Sequence, residues 1–429
     1  MSQNPVSALR GHLAAISPYS NIFKQPPPPS SGQVYGAVYL CRHGSIEVSY
    51  HDYAHFMAPF LQKLRSLQSS GRPFVTGRLS FLSSYQSWIT DAHVGNVSNE
   101  GLKQSLDLGR AFRVRYKQWL IPASHYSKPE LYTWTDSAMR CRSSALAFSS
   151  GILGKKGSPT GNYDDHPRRV DVRVKVLQCE DNSHQCDNLR WHKAFSVDQS
   201  RGSDKFEKLM QVTTRPIYRR LHNDWHTATP LSATDIYAMQ LLHCYDAVAN
   251  RPTPFEKCFE ADDWPGFEYL RDVKYYYSEG YGMLQPGFYA IPWLKAAMTA
   301  LSNPPSHGPQ LPLRIAFTHR EEILYLCCLL GMNFHKNWEP ALDRVDEDRQ
   351  WRAALLAPYL GHVGIESYPG RNGEKRVRFI LNGDVKPAFW GITHPDSDGG
   401  YGFDLVSQWT EVQWRAWQTF SPSRITFLR

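Results

Sequence analysis

The chain has 429 residues, 41% of them hydrophobic, so it can bury a large core and exceeds the usual size of one domain; a main domain with a substantial insertion is expected. Its formal net charge of +8 is modest and scattered, and no basic block interleaved with aromatics argues for nucleic acid. No run approaches the ~20 apolar residues of a membrane span, and residues 1–20 hold neither a basic nor an apolar leader region. That predicts a cytoplasmic protein, or a secreted one if a leader has been trimmed.

In chain order, Pro26 to Gly32 reads as a stiff, exposed spacer that sets residues 1–32 apart as an N-terminal arm. From Gln33 a β-branched and aromatic run leads through Val38-Tyr39-Leu40 into Arg42-His43-Gly44, a buried strand delivering charge at its carboxyl end. His51 and His55 stand one helical turn apart, a spacing that suits a metal. No third ligand or general-base Glu accompanies them, so the prediction is a polar surface or pocket rim, and no metal. Met57 to Leu67 and Gly101 to Leu120 have helical periodicity, the second through Leu102, Leu106, Leu108, Phe112, Tyr116 and Trp119.

Leu131 to Trp134 is a short strand, followed by Thr135 to Arg140 and a helix from Ser143 to Phe148. From Gly151 the texture changes: Gly154 to Gly161 is a loop, Arg169 to Leu177 alternates like a strand, and Lys205 to about Asn250 is helical. Residues 151–261 are therefore expected to form an α-rich cap over the pocket, with 33–150 and 262–429 as an α/β core. That core gains a helix from Ala290 to Leu301, a strand from Leu313 to Thr318, a helix from Ile323 to Met332, and a strand pair near Ile365–Tyr368 and Val377–Leu381.

Three strands thus end in titratable groups: Arg42-His43, the segment through Arg140, and His319-Arg320-Glu321-Glu322. In one sheet these ends converge where open α/β sheets bind ligands. Arginine forks and helix N-termini suit a phosphate, a histidine held by one ring nitrogen can attack phosphorus with the other, and a nearby carboxylic acid can protonate the leaving oxygen. Glu321 and Glu322 are the candidates for that acid. No Gly-x-Ser-x-Gly elbow, Walker A loop, dinucleotide Gly-x-Gly-x-x-Gly or His-Glu-x-x-His motif offers another chemistry.

Further segments resemble one family. Ile16-Ser17-Pro18-Tyr19-Ser20, Val97 to Gln104 with Leu108-Gly109-Arg110 and Arg113 to Tyr116, Arg140 to Phe148, and Tyr275 to Gly282 are similar, in order, to segments of the histidine acid phosphatases, the phytase-containing branch of the histidine phosphatase superfamily. The resemblance implies a twisted, mostly parallel sheet flanked by helices, no metal or organic cofactor, and a small anionic, phosphorylated substrate. It makes His43 the nucleophile, through a phosphohistidine, with Arg42, Arg140 and His319 holding the phosphoryl group. Cys244 and Cys258 match a cysteine pair of the family, and Cys179 with Cys186 offers another pairing; without a leader the reduced state is expected. Oligomeric state is left open.

Two departures stand out. The family motif Arg-His-Gly-x-Arg-x-Pro carries Ile46 and Val48 here where its second arginine and proline stand, leaving Arg320 or Arg142 to supply the missing charge. The usual His-Asp is His319-Arg320, and the His-x-Glu of the subset related to multiple inositol polyphosphate phosphatase points instead to Glu321 as acid, with Glu322 second. The leading expectation is phosphomonoester hydrolysis. The alternatives are a pocket converted to acid-base isomerisation, dehydration or cyclisation of a small metabolite, and a protein that only binds.

Overall fold

A computed structural model describes residues 12–120, 130–154, 173–178, 201–303, 310–334, 338–388 and 394–419. Its centre is a mixed sheet of β1 (Gly36–Arg42), β2 (Glu130–Thr135), β3 (Arg173–Gln178), β4 (Gln310–Thr318), β5 (His362–Pro369), β6 (Lys375–Leu381), β7 (Asp384–Lys386) and β8 (Gly400–Gly402). The spatial order is β3-β2-β4-β1-β5-β6-β7, with β8 also on β6. The first four of these run parallel, and β5 onward is antiparallel. The register places Arg42 opposite Thr318 and Thr135 opposite Phe317, so β1, β2 and β4 end level with one another.

β1 is buried along its whole length because helices cover both faces of the sheet. Tyr39 and Cys41 point to one side, with Phe112, Phe148 and Phe317. Val38 and Leu40 point to the other, with Leu301, Leu324 and Ile365. The first layer holds α2 (Asn99–Arg115) and α3 (Met139–Leu153), the second α7 (Ile291–Ser302), α8 (Arg320–Leu329) and α9 (Phe403–Thr419). A third cluster joins α1 (Ala58–Ser69), α4 (Ser203–Leu221), α5 (Ala233–Val248) and α6 (Trp264–Glu279) beside the end of the sheet where β1 stops.

Several expectations need correction. β3 comes from the 151–261 segment yet pairs with β2, so the sheet takes an edge strand from the stretch assigned to the cap. The helical run 205–250 is two helices, the first ending at Leu221 and the second starting at Ala233 under a capping box from Ser232. The 101–120 helix runs to Arg115, breaks only at Tyr116, whose hydroxyl donates to Glu366, and resumes over Lys117–Leu120. The N-terminal arm is no loose tether: Leu13, Ala14, Ala15 and Ile16 are fully buried, and Arg378 donates to the Pro27 carbonyl at 2.7 Å. Cys244 and Cys258 are separate buried thiols, in the reduced state expected, whereas Cys179 and Cys186 lie outside the described residues.

Glu366 of β5 ties the sheet to α2. It is wholly buried and accepts from Arg115 at 2.9 Å, the Tyr116 hydroxyl at 2.7 Å and Arg378 at 2.7 Å. Removing its charge leaves Arg378 buried without a counterion, so Glu366→Gln is expected to cost about 3–5 kcal/mol. Chemical denaturation would read this as a lower midpoint, and a change under about 1 kcal/mol would refute the role given to Glu366.

Candidate active site

Backbone bonds from both neighbouring strands fix the end of β1. Arg42 N–H donates to Gly361 O at 2.8 Å, His43 N–H to Thr318 O at 2.9 Å, and Leu360 N–H to His43 O at 3.1 Å. Gly44 is then pressed against the first turn of α2. A Cβ on it would lie 2.6 Å from Gly101 O, and a Cβ on Gly101 would lie 2.2 Å from Ser45 O. Only glycine at both positions lets the two backbones meet. Gly44 N–H donates to Ser144 Oγ at 2.9 Å, which fastens the turn to α3.

Arg42 is 5% exposed, and its guanidinium sits 4.1 Å over the Tyr359 ring. One amino group donates to the carbonyls of Ala15 and Ala357 at 2.5 and 2.8 Å. His43 is 4% exposed, and its Nδ1 lies 2.8 Å from Gly44 O, so Nδ1–H donates and the lone pair sits on Nε2. Burial first, then the charges of Arg42, His319 and Arg140, hold the His43 imidazole well below its usual value. His43 therefore stays neutral, and its lone pair available, through mildly acidic pH.

At the end of β4, His319 caps α8, its ring centroid 5.4 Å from that of His43. His319 Nε2 lies 2.5 Å from Asp136 Oδ2, just past β2, and Arg140 Nε–H donates to its Nδ1 at 3.3 Å. Burial alone would raise the Asp136 carboxyl, but the bonds from His319 and the Ala138 N–H outweigh it and hold the group below the usual carboxylate range. Asp136 is thus the partner that orients His319, a role the sequence reading did not give it.

The two glutamates part company. Glu321 lines the same cavity as Arg42, His43, Arg140, His319 and Arg320. Glu322 does not: it is wholly buried and its carboxylate accepts the His319 backbone N–H at 3.2 Å, closing a capping box. Its candidacy as the acid is withdrawn. Arg320 is in the cavity wall, but its fork is held bidentately by Glu279 at 2.7 and 2.8 Å, with a further bond to Glu321 at 2.9 Å. Its guanidinium lies 4.1 Å over Tyr275. Arg142 is exposed and outside the cavity, so it does not make up for the missing motif arginine.

The opposite wall comes from α6 and the turn Tyr50–Asp52, where the sequence had set only His51 at a polar surface or pocket rim. Arg271 forms a two-pronged pair with Asp52 at 3.2 and 3.1 Å. Lys274 Nζ donates to the His51 ring at 3.1 Å, so His51 lies on the pocket wall as a partner of lysine. The cavity so enclosed measures about 210 Å³. Burial foremost, aided by Arg271 and Arg320 and opposed by Asp52, lowers the Lys274 ammonium to about 8. Lys274 is therefore a cation below that pH and loses charge above it. KM for an anionic substrate is expected to rise as pH passes through about 8, and Lys274→Met to remove that step; an unchanged profile in the variant would refute it.

The model of the histidine phosphatase superfamily (branch 2) matches residues 36–382, and the chain belongs to this family of hydrolases. It is similar to an acid phosphatase of Schizosaccharomyces pombe, 24% identical over 91% of this chain and 82% of that protein. It is similar also to phytase A of Aspergillus terreus, 23% identical over 81% of this chain and 76% of that protein. Among solved structures, the phytase from D. castellii shares the fold, with a TM-score of 0.72 over 95% of this chain and 85% of that one at 15% identity.

Proposed function

We propose that this protein hydrolyses a phosphomonoester through a phosphohistidine on His43. The observation that carries the reading is the tautomer and setting of that one ring: Nδ1–H is engaged by Gly44 O, while Nε2 is left as a neutral nucleophile among Arg42, Arg140 and His319. Membership of a phosphatase family supports it, as do the acid phosphatase and phytase relatives.

In the reaction, Nε2 attacks phosphorus in line with the ester oxygen. Arg42 and Arg140 bear the charge gathering on the phosphoryl oxygens, and His319, steadied by Asp136, positions Arg140 by accepting its Nε–H. The P–O bond breaks as the Glu321 carboxyl gives its proton to the departing alcohol. Water then attacks the phosphohistidine, Glu321 takes back a proton, and inorganic phosphate leaves with His43 restored. The loop is closed in atoms and charge without any cofactor. Conversion of the pocket to isomerisation, dehydration or cyclisation finds no support in the relatives, and the carboxylates around Arg320 account for the cation that suggested it.

The test is a rapid alkaline quench of enzyme mixed with 32P-labelled phenyl phosphate between pH 4 and 7. Label that stays on the protein in base, is lost in acid and maps to His43 is the expected result. Folded protein that releases no phosphate and takes up no label at any pH overturns the reading.

A further inference from the structure

Most of the charge lining the cavity is already committed within the protein. Five basic side chains reach the cavity, Arg42, Arg140, Arg271, Lys274 and Arg320, against three carboxylates, Asp52, Glu279 and Glu321. Arg271 is closed off: besides Asp52 it donates to the hydroxyls of Tyr237 at 2.8 Å and Tyr275 at 2.7 Å. Arg320 is closed off likewise by Glu279 and Glu321. A ligand phosphate that recruited either arginine would strand a buried carboxylate, since Asp52 and Glu279 are 2% and 5% exposed. Among the described residues, Arg42 and Arg140 remain beside His43, and Lys274 beyond them. That provides for one phosphoryl group and little more.

One part of the remaining wall is apolar, next to the polar side chains of Ser49, Tyr245 and Ser278. Ile46, standing where the family motif has an arginine, is 5% exposed and held by a bridge to Val97. Ala15 and Ile16 extend that surface. Tyr50 also borders the cavity, with 72% of its surface exposed, so its ring is available to lie against a ligand. The cavity's 210 Å³ falls below the roughly 300–1,000 Å³ typical of sites that engulf drug-sized ligands.

Resting on the phosphatase reading, we infer that the substrate carries a single phosphate on a compact, flat, uncharged alcohol, of which an aryl phosphate is the simplest form, and that inositol polyphosphates are poor substrates. A polyanion brings charges for which the wall keeps only Lys274 in reserve, whereas a flat apolar ring can lie against the exposed Tyr50 at the mouth.

The experiment compares kcat/KM for 1-naphthyl phosphate and phytate, and calorimetric binding of both to the His43→Ala protein, which reads preference without turnover. At least a tenfold advantage for 1-naphthyl phosphate is expected in both. Tyr50→Ala, at an exposed position, should lower kcat/KM roughly two- to tenfold for 1-naphthyl phosphate and less than twofold for glycerol 2-phosphate. Glu279→Gln, which loosens Arg320, should narrow the gap to phytate. Phytate bound or turned over as well as the aryl ester overturns the inference while leaving the phosphatase reading intact. Preferential binding of 1-naphthyl phosphate without hydrolysis of either compound upholds the selectivity and overturns the phosphatase reading.

Discussion

Replacing His43 by alanine is expected to lower kcat/KM for phenyl phosphate by at least about four orders of magnitude, comparable to removing the nucleophile of other covalent enzymes. Nothing else in the cavity can replace it. His51 is occupied with Lys274, and His319 presents Nε2 to Asp136 and Nδ1 to Arg140. The fold should survive, because the bonds that fix position 43 are made by its backbone N–H and carbonyl, which alanine keeps. The variant should also fail to take up label from the substrate. Activity above about a hundredth of wild type, in protein with an unchanged melting temperature, would remove His43 from the mechanism.

The second large effect depends on the leaving group. Glu321→Gln cannot supply a proton, so glycerol 2-phosphate, whose alkoxide is a poor leaving group, should be hydrolysed roughly 10²–10⁴-fold more slowly. With 4-nitrophenyl phosphate, whose phenolate departs unaided, the loss should be much smaller. Glu322→Gln is the contrasting case. Glutamine still accepts the His319 N–H of the capping box, so stability should change by less than about 1 kcal/mol and turnover hardly at all. If Glu322→Gln showed the leaving-group dependence and Glu321→Gln did not, the assignment of the acid would be reversed.

Much of this site was legible in the sequence because its parts announce themselves locally. β1, β2 and β4 are apolar runs that each stop at a charged or titratable group, and their parallel pairing brings Arg42, His43, Arg140 and His319 together. The partners that decide how those groups behave are remote in sequence. Asp52 meets Arg271, and Glu279 meets Arg320, only after the chain has folded. Arg320 therefore looked like a free phosphate-binding cation when it is one side of an internal pair. Glu322 had a local signal: it stands three residues after His319, the spacing of a capping box. Histidine is not among the usual residues at that first position, so the pattern went unread. β3 was recognised as a strand, but its neighbour in the sheet could not be deduced from alternation alone.

The position of β1 also determines when the site can come into being. This strand leaves the ribosome early, yet its partners β4 and β5 begin at Gln310 and His362, and Arg42 is clasped by carbonyls from Ala15 and Ala357. Until the last third of the chain has been synthesised, β1 is an apolar segment with two unpaired edges, the kind that invites misassociation. Pairing across so many residues is slow. Arg42 and His43 thus take their working geometry among the last events of folding, and a nascent chain arrested before Ala357 carries the whole of the first motif without β5 or the Ala357 clasp.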